Sequence, residues 1–129
     1  MNARVETTAG VFEVDLETEE VTPCGEALAP QDEPVLNLPR VVAAAALGAT
    51  VFAVVDTRPP LVVSRDSGMT WRESGRGLPP GRAIAIADEE PDTAVFAGRN
   101  RLFVTRDGGV FWTALAVELP EIVSVRLTG

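Results

Sequence analysis

One eight-residue pattern is written twice in this chain. Ser64-Arg65-Asp66-Ser67-Gly68-Met69-Thr70-Trp71 returns as Thr105-Arg106-Asp107-Gly108-Gly109-Val110-Phe111-Trp112, 41 positions later. Both fit Ser/Thr-x-Asp-x-Gly-x-x-Trp. A second marker keeps the same period: Leu-Pro stands at 38–39, 78–79 and 119–120. A repeat of this length is one supersecondary unit that buries its apolar face only by stacking on a neighbour. The chain is therefore constrained to be an array of similar units.

Each residue type in the pattern suits a tight hairpin. Gly68 and Gly109 can take φ > 0 without strain. Asp66 and Asp107 can accept N–H groups within the turn, as Asx turns do, joined by the hydroxyls of Ser64 and Thr105. Trp71 and Trp112 would carry a large ring between neighbouring units. The pattern resembles the Asp box, or BNR repeat, found in sialidases, sortilin-type receptors, xyloglucan hydrolases and a photosystem assembly factor. What the resemblance implies is a β-propeller, in which the box is a structural turn. Because enzymes, receptors and assembly factors share it, it implies no single function.

Local patterning places the blades. A degenerate third box, Val14–Val21, falls 50 positions before the first full one and lacks its Asp, Gly and Trp. Strands are expected over 4–8, 11–16 and 20–23, then over 41–46, 50–55, 61–65 and 70–73. The next set is 83–87, 93–97, 102–106 and 111–117, and a last strand covers 122–127. Alternation in Ala83-Ile84-Ala85-Ile86-Ala87 is the period of a half-buried strand. The Ala43–Ala46 run has helix propensity, but the repeat phase and the strand-like 50–55 that follows favour strand.

The domain reading is one domain of three repeats. Residues 1–39 form a degenerate first blade with an insertion at 24–37, punctuated by Pro30 and Pro34. Residues 40–78 form a second blade, 79–118 a third, and 119–129 supply one strand. The first repeat lacks an innermost strand and the C-terminus has one to spare, so the twelve strands make three four-stranded blades. Propellers typically close with four to eight blades. We therefore expect an all-β, two-chain, six-bladed homodimer in which the C-terminal strand completes the partner's first blade and covers its edge. A larger ring, an open half-propeller on another protein, or a piece of a longer chain are the alternatives.

Composition limits the chemistry. The eleven basic residues are all Arg, and Lys, His and Tyr are absent, which removes the Lys Schiff base, the His base and the Tyr nucleophile. Sialidase chemistry, which the resemblance associates with a Tyr nucleophile, is excluded. Cys24 is the sole cysteine, so no internal disulfide is available, and no metal-ligand spacing or phosphate loop is present. We expect no cofactor, no metal and no catalytic residue. The net charge of −8 lies within residues 1–39 and argues against nucleic acid or an anionic membrane as partner. No leader or membrane-spanning stretch is read, giving a cytoplasmic expectation.

In Asp-box propellers the ligand face lies opposite the boxes. By position, that face here holds Arg40, Arg82 and Glu121 before the innermost strands, and Asp56, Arg58, Arg99 and Arg101 between second and third strands. Arg58 and Arg99 are 41 apart. The candidate ligand face is thus Arg40, Asp56, Arg58, Arg82 and Arg99, suited to carboxylate or phosphate; solvated arginines paired with nearby acids are the plainer reading. The expected function is a non-catalytic binding or scaffold module for a protein or a small anionic ligand, with the 24–37 insertion, bearing Leu28, Val35 and Leu36, as a contact element. The alternative is a carbohydrate-binding protein or a glycoside-hydrolase-like enzyme, for which a paired carboxylate is wanting.

Overall fold

The computed structural model describes residues 1–25, 33–34, 36 and 38–128, and within them twelve strands form three four-stranded antiparallel sheets. The strands are β1 (Asn2–Thr7), β2 (Gly10–Asp15), β3 (Val21–Cys24), β4 (Val41–Leu47), β5 (Thr50–Val55), β6 (Leu61–Ser64), β7 (Arg72–Ser74), β8 (Ala83–Ala87), β9 (Glu90–Ala97), β10 (Leu102–Thr105), β11 (Thr113–Ala114) and β12 (Ile122–Thr128). The sheets run β12-β1-β2-β3, β4-β5-β6-β7 and β8-β9-β10-β11. The Ala-rich Val41–Leu47 is a strand, set by pairing with β5 rather than by helix propensity. The contact role expected of the insertion through Leu28 and Val35 lies outside the described residues.

One expectation is corrected. The C-terminal strand pairs with β1 of its own chain, from Asn2↔Thr128 to Thr7↔Ile122, and completes the first blade without a partner. The reason is where β12 begins: the third blade delivers it beside β8, and the first blade packs on that same third blade. Two outer strands are also displaced or shortened. Residues expected to start them at Thr70 and Phe111 are held in the turns, their N–H groups donating to Asp66 and Asp107. Pairing therefore starts only at Arg72 and Thr113.

The innermost strands stand side by side in the order β4, β8, β12, so the blades form an arc of second, third and first. Two apolar clusters hold it. Between the second and third blades, Phe52, Val54, Leu61 and Val63 meet Ile84, Ala94 and Phe96. Between the third and first, Ala85, Val95, Leu102 and Val104 meet Val5, Val14 and Ile122. Small residues on β4 and β8 (Ala43, Ala45, Ala83, Ala85) let the inner strands approach where radial sheets crowd.

The ends of the arc differ in chemistry. The first blade turns Asn2, Arg4, Glu6 and Glu13 outward. Glu13 accepts hydrogen bonds from Asn2 (3.2 Å) and Arg4 (3.4 Å). In the 50-residue register, Arg4 stands where the second blade has Val54 and Glu13 where it has Val63. The outer face of the first blade is thus polar where the corresponding face of the second blade is apolar.

Candidate functional site

The two repeat turns lie at one end of the blades, between β6 and β7 and between β10 and β11. In the first, the Ser64 hydroxyl donates to Asp66 Oδ1 (2.8 Å) and accepts from Gly68 N–H (2.8 Å). Asp66 also accepts Thr70 N–H (2.8 Å) and the Thr70 hydroxyl (2.5 Å). In the second, Thr105 donates to Asp107 (2.8 Å) and accepts Gly109 N–H (2.9 Å), while Asp107 accepts from Val110 (3.1 Å) and Phe111 (3.0 Å). Gly68 and Gly109 have φ of 88° and 92°, as the turn requires. The Thr70 hydroxyl and N–H, with Ser64, pull the Asp66 carboxyl down to about 2. Asp107 is lowered by Phe111 N–H and the Thr105 hydroxyl. Carboxylates held ionised by turn donors are poor proton carriers.

The turns also join blades. Trp112 meets Phe52 and Phe96 edge-on, centroids 6.3 and 6.1 Å away, and donates through Nε1 to Ser74 Oγ (3.1 Å). Arg65 pairs with Asp92 of the third blade (2.6 Å), and its repeat mate Arg106 pairs with Glu17 of the first (3.2 Å). Trp71 occupies the matching place on the arc's free end and makes no ring contact among the described residues. The degenerate box keeps a turn of its own. Asp15, one position ahead of the box Asp, accepts N–H groups of Glu17 (2.8 Å) and Thr18 (3.0 Å). Sequence alignment in strict register hides that substitution.

At the opposite end, the strand directions gather the loops expected to face a ligand. Arg82 and Arg99 are brought together, both reaching Glu121 (3.5 and 3.3 Å), and Arg101 pairs with Glu118 (2.9 Å). Arg40 and Asp56 meet through the backbone, Asp56 N–H donating to Arg40 C=O (3.0 Å). Arg58, the repeat mate of Arg99, has no such acid: the place 41 residues before Glu121 is Pro80. Instead Arg58 lines a cleft of about 620 Å³ with Arg76, Glu73, Thr57, Leu78 and Pro59, Pro60, Pro79 and Pro80. A smaller lobe of about 330 Å³ continues past Thr57, Arg58 and Pro80 towards Val42, Val55, Asp56 and Gly81.

Arg76 was not among the sequence candidates. It lies in the turn Gly75-Arg76-Gly77, whose glycines have φ of 79° and 84°, and its repeat counterpart is Val117. The 41-residue period carried no signal for it. Among the described residues neither Arg58 nor Arg76 has a carboxylate within ion-pair distance, so two free cations share one cleft.

Comparison with solved structures supports the fold. The structure of YCF48 bound to D1 peptide aligns with 94% of this chain at a TM-score of 0.50 and 20% identity. The chain folds as propeller blades. It spans about 39% of that protein chain. No family model matches the sequence, and no curated protein does. No helix among the described residues is long and apolar enough to cross a membrane.

Proposed function

We propose that the chain is a non-catalytic binding module of the Asp-box propeller class, and that it engages a protein segment or small anionic ligand at the loop end opposite its two turns. The observation that carries this reading is the contrast among the loop-end arginines. Arg82, Arg99 and Arg101 pair with Glu121 and Glu118, whereas among the described residues Arg58 and Arg76 have no ion pair and line one cleft at that end. Unpaired guanidiniums in a concave site are the groups that bind carboxylate or phosphate. The peptide bound to YCF48 supports a protein segment as the class of partner. The Asp-box assignment rests on the Ser64–Asp66–Thr70 and Thr105–Asp107–Phe111 hydrogen bonds, which give both acids a turn-building role.

Closure by a second copy belongs to the same proposal. It would set the polar face of the first blade, with Arg4 and Glu13, against the end of the second blade that carries Val42, Val62 and Trp71. Desolvating Arg4 and Glu13 there is costly, so the six-bladed ring would be weak and concentration-dependent. A cytoplasmic setting is proposed on the lone thiol of Cys24.

Random peptides selected for binding and mapped by hydrogen exchange test the reading. Protection of residues 56–60 and 75–82 on binding is expected. Protection confined to the turns at 64–71 and 105–112, or to outer strand edges, would overturn it.

A further inference from the structure

The cleft between the Thr57–Pro60 loop and the Gly75–Pro80 connection is more selective than a patch of positive charge. Its walls are Pro59, Pro60, Pro79, Pro80 and Leu78. Four prolines contribute no N–H, so the donors available to a ligand come chiefly from the two guanidiniums. Three loop carbonyls are spent on the protein itself. Pro60 C=O accepts Val55 N–H (2.8 Å), Gly75 C=O accepts Leu78 N–H (3.0 Å), and Thr57 donates to Pro59 C=O (3.4 Å). The prolines fix the backbone of the walls, so the ordering left to do on binding falls on the exposed side chains of Arg58 and Arg76. One acid, Glu73, stands in the main lobe and another, Asp56, in the inner one. The two lobes joined at Arg58 make an elongated trough, longer than a free phosphate or a single carboxylic acid would fill.

We infer that this trough takes a peptide segment with one carboxylate set between apolar side chains, the carboxylate held by Arg58 and Arg76 and the apolar groups laid on the proline and Leu78 walls. The inference rests on the loop-end reading above and adds the ligand's chemistry. Glu73 sets the limit of one acid: a second carboxylate in the main lobe would meet like charge, and a basic side chain would meet a partner. Arg is suited here because its planar fork takes both oxygens of a carboxylate.

The test uses the full chain. Blocked random heptapeptides are selected by display, synthesised, and titrated by fluorescence anisotropy against the wild type, Arg58→Ala/Arg76→Ala and Glu73→Gln. All three side chains are exposed, so the variants keep the fold, and circular dichroism checks this. Expected are peptides with a single Asp or Glu flanked by apolar residues. Their Kd should rise about tenfold in the double arginine variant and when the acid is replaced by its amide. Glu73→Gln should tighten them. Peptides that protect residues 56–60 and 75–82 but show no preference for a carboxylate would overturn this inference and leave the loop-end reading standing. Binders that map elsewhere, or none at all, would overturn both. Self-association abolished by the double arginine substitution would reassign the trough to a second copy of this chain.

Discussion

Ser74 is the point at which one blade is tied to the next, and Ser74→Ala isolates that tie. The hydroxyl sits at the end of β7, 8% exposed, and serves two groups of the third blade at once. It donates to Gly109 C=O (2.5 Å) and accepts from Trp112 Nε1–H (3.1 Å). Removing it leaves the carbonyl of a buried glycine without this donor, at about 1–3 kcal/mol, and costs the half-buried indole N–H a bond worth about 0.5–1.5 kcal/mol. The expected loss is about 1.5–4.5 kcal/mol. For 129 residues, 1 kcal/mol moves Tm by about 4 °C, so a fall of about 6–18 °C is predicted. Urea melts followed by circular dichroism measure this, so that variants lacking Trp112 are read by the same probe. Trp112→Phe keeps a ring against Phe52 and Phe96 but removes the donor. The double-mutant cycle of Ser74→Ala with Trp112→Phe should therefore show a coupling of about 1 kcal/mol. A loss below about 0.5 kcal/mol for Ser74→Ala, or strict additivity in the cycle, would refute the tie.

Other outcomes follow from the same structure. Asp66, held near 2, and Asp107 and Asp15, also lowered, are depressed relative to their ordinary value of 3.8. Their contribution to stability is present above about pH 4 and is lost as pH falls towards 2; Asp66→Asn should flatten part of that slope in acid-unfolding curves. Gly81→Ala would place a methyl 2.5 Å from Phe96 Cε2 and 2.6 Å from Val54 Cγ1. Overpacking of that kind costs about 1–3 kcal/mol, measurable in the same urea melts, and a neutral result would mean the junction of the second and third blades at Val54 and Phe96 yields readily. Light scattering at rising concentration should show 13.7 kDa passing towards twice that mass if the proposed ring forms. A mass fixed at one chain would remove the second copy from the proposal.

Much of the fold is legible in the chain because its period is. Ser64–Trp71 and Thr105–Trp112 fix the phase of two blades. Leu-Pro fixes the connections, and alternation at Ala83–Ala87 fixes which side of a strand is covered. The outer strands were less legible, since Asp66 and Asp107 extend their turns through Thr70 and Phe111 by bonds that strand propensity does not register. The candidate site was legible only in part. Arg58 follows from the repeat, but that it has no ion pair among the described residues while Arg99 has one depends on Glu121 having Pro80 as its counterpart. Arg76 has Val117, not an arginine, as its repeat counterpart.

Local chemistry written into consecutive residues thus determined the turns, the blade count, the absence of Lys, His and Tyr chemistry, and the end of the blades on which the arginines lie. Only tertiary structure decided that β12 returns to β1 of the same chain, that the first blade turns a polar face outward, and that Arg58 and Arg76 share one trough. The physical reason is separation along the chain. Turn hydrogen bonds span four residues or fewer and are fixed by sequence order. Ion pairing and cleft formation join groups from 9 to 89 residues apart, and depend on how strands pair and sheets pack.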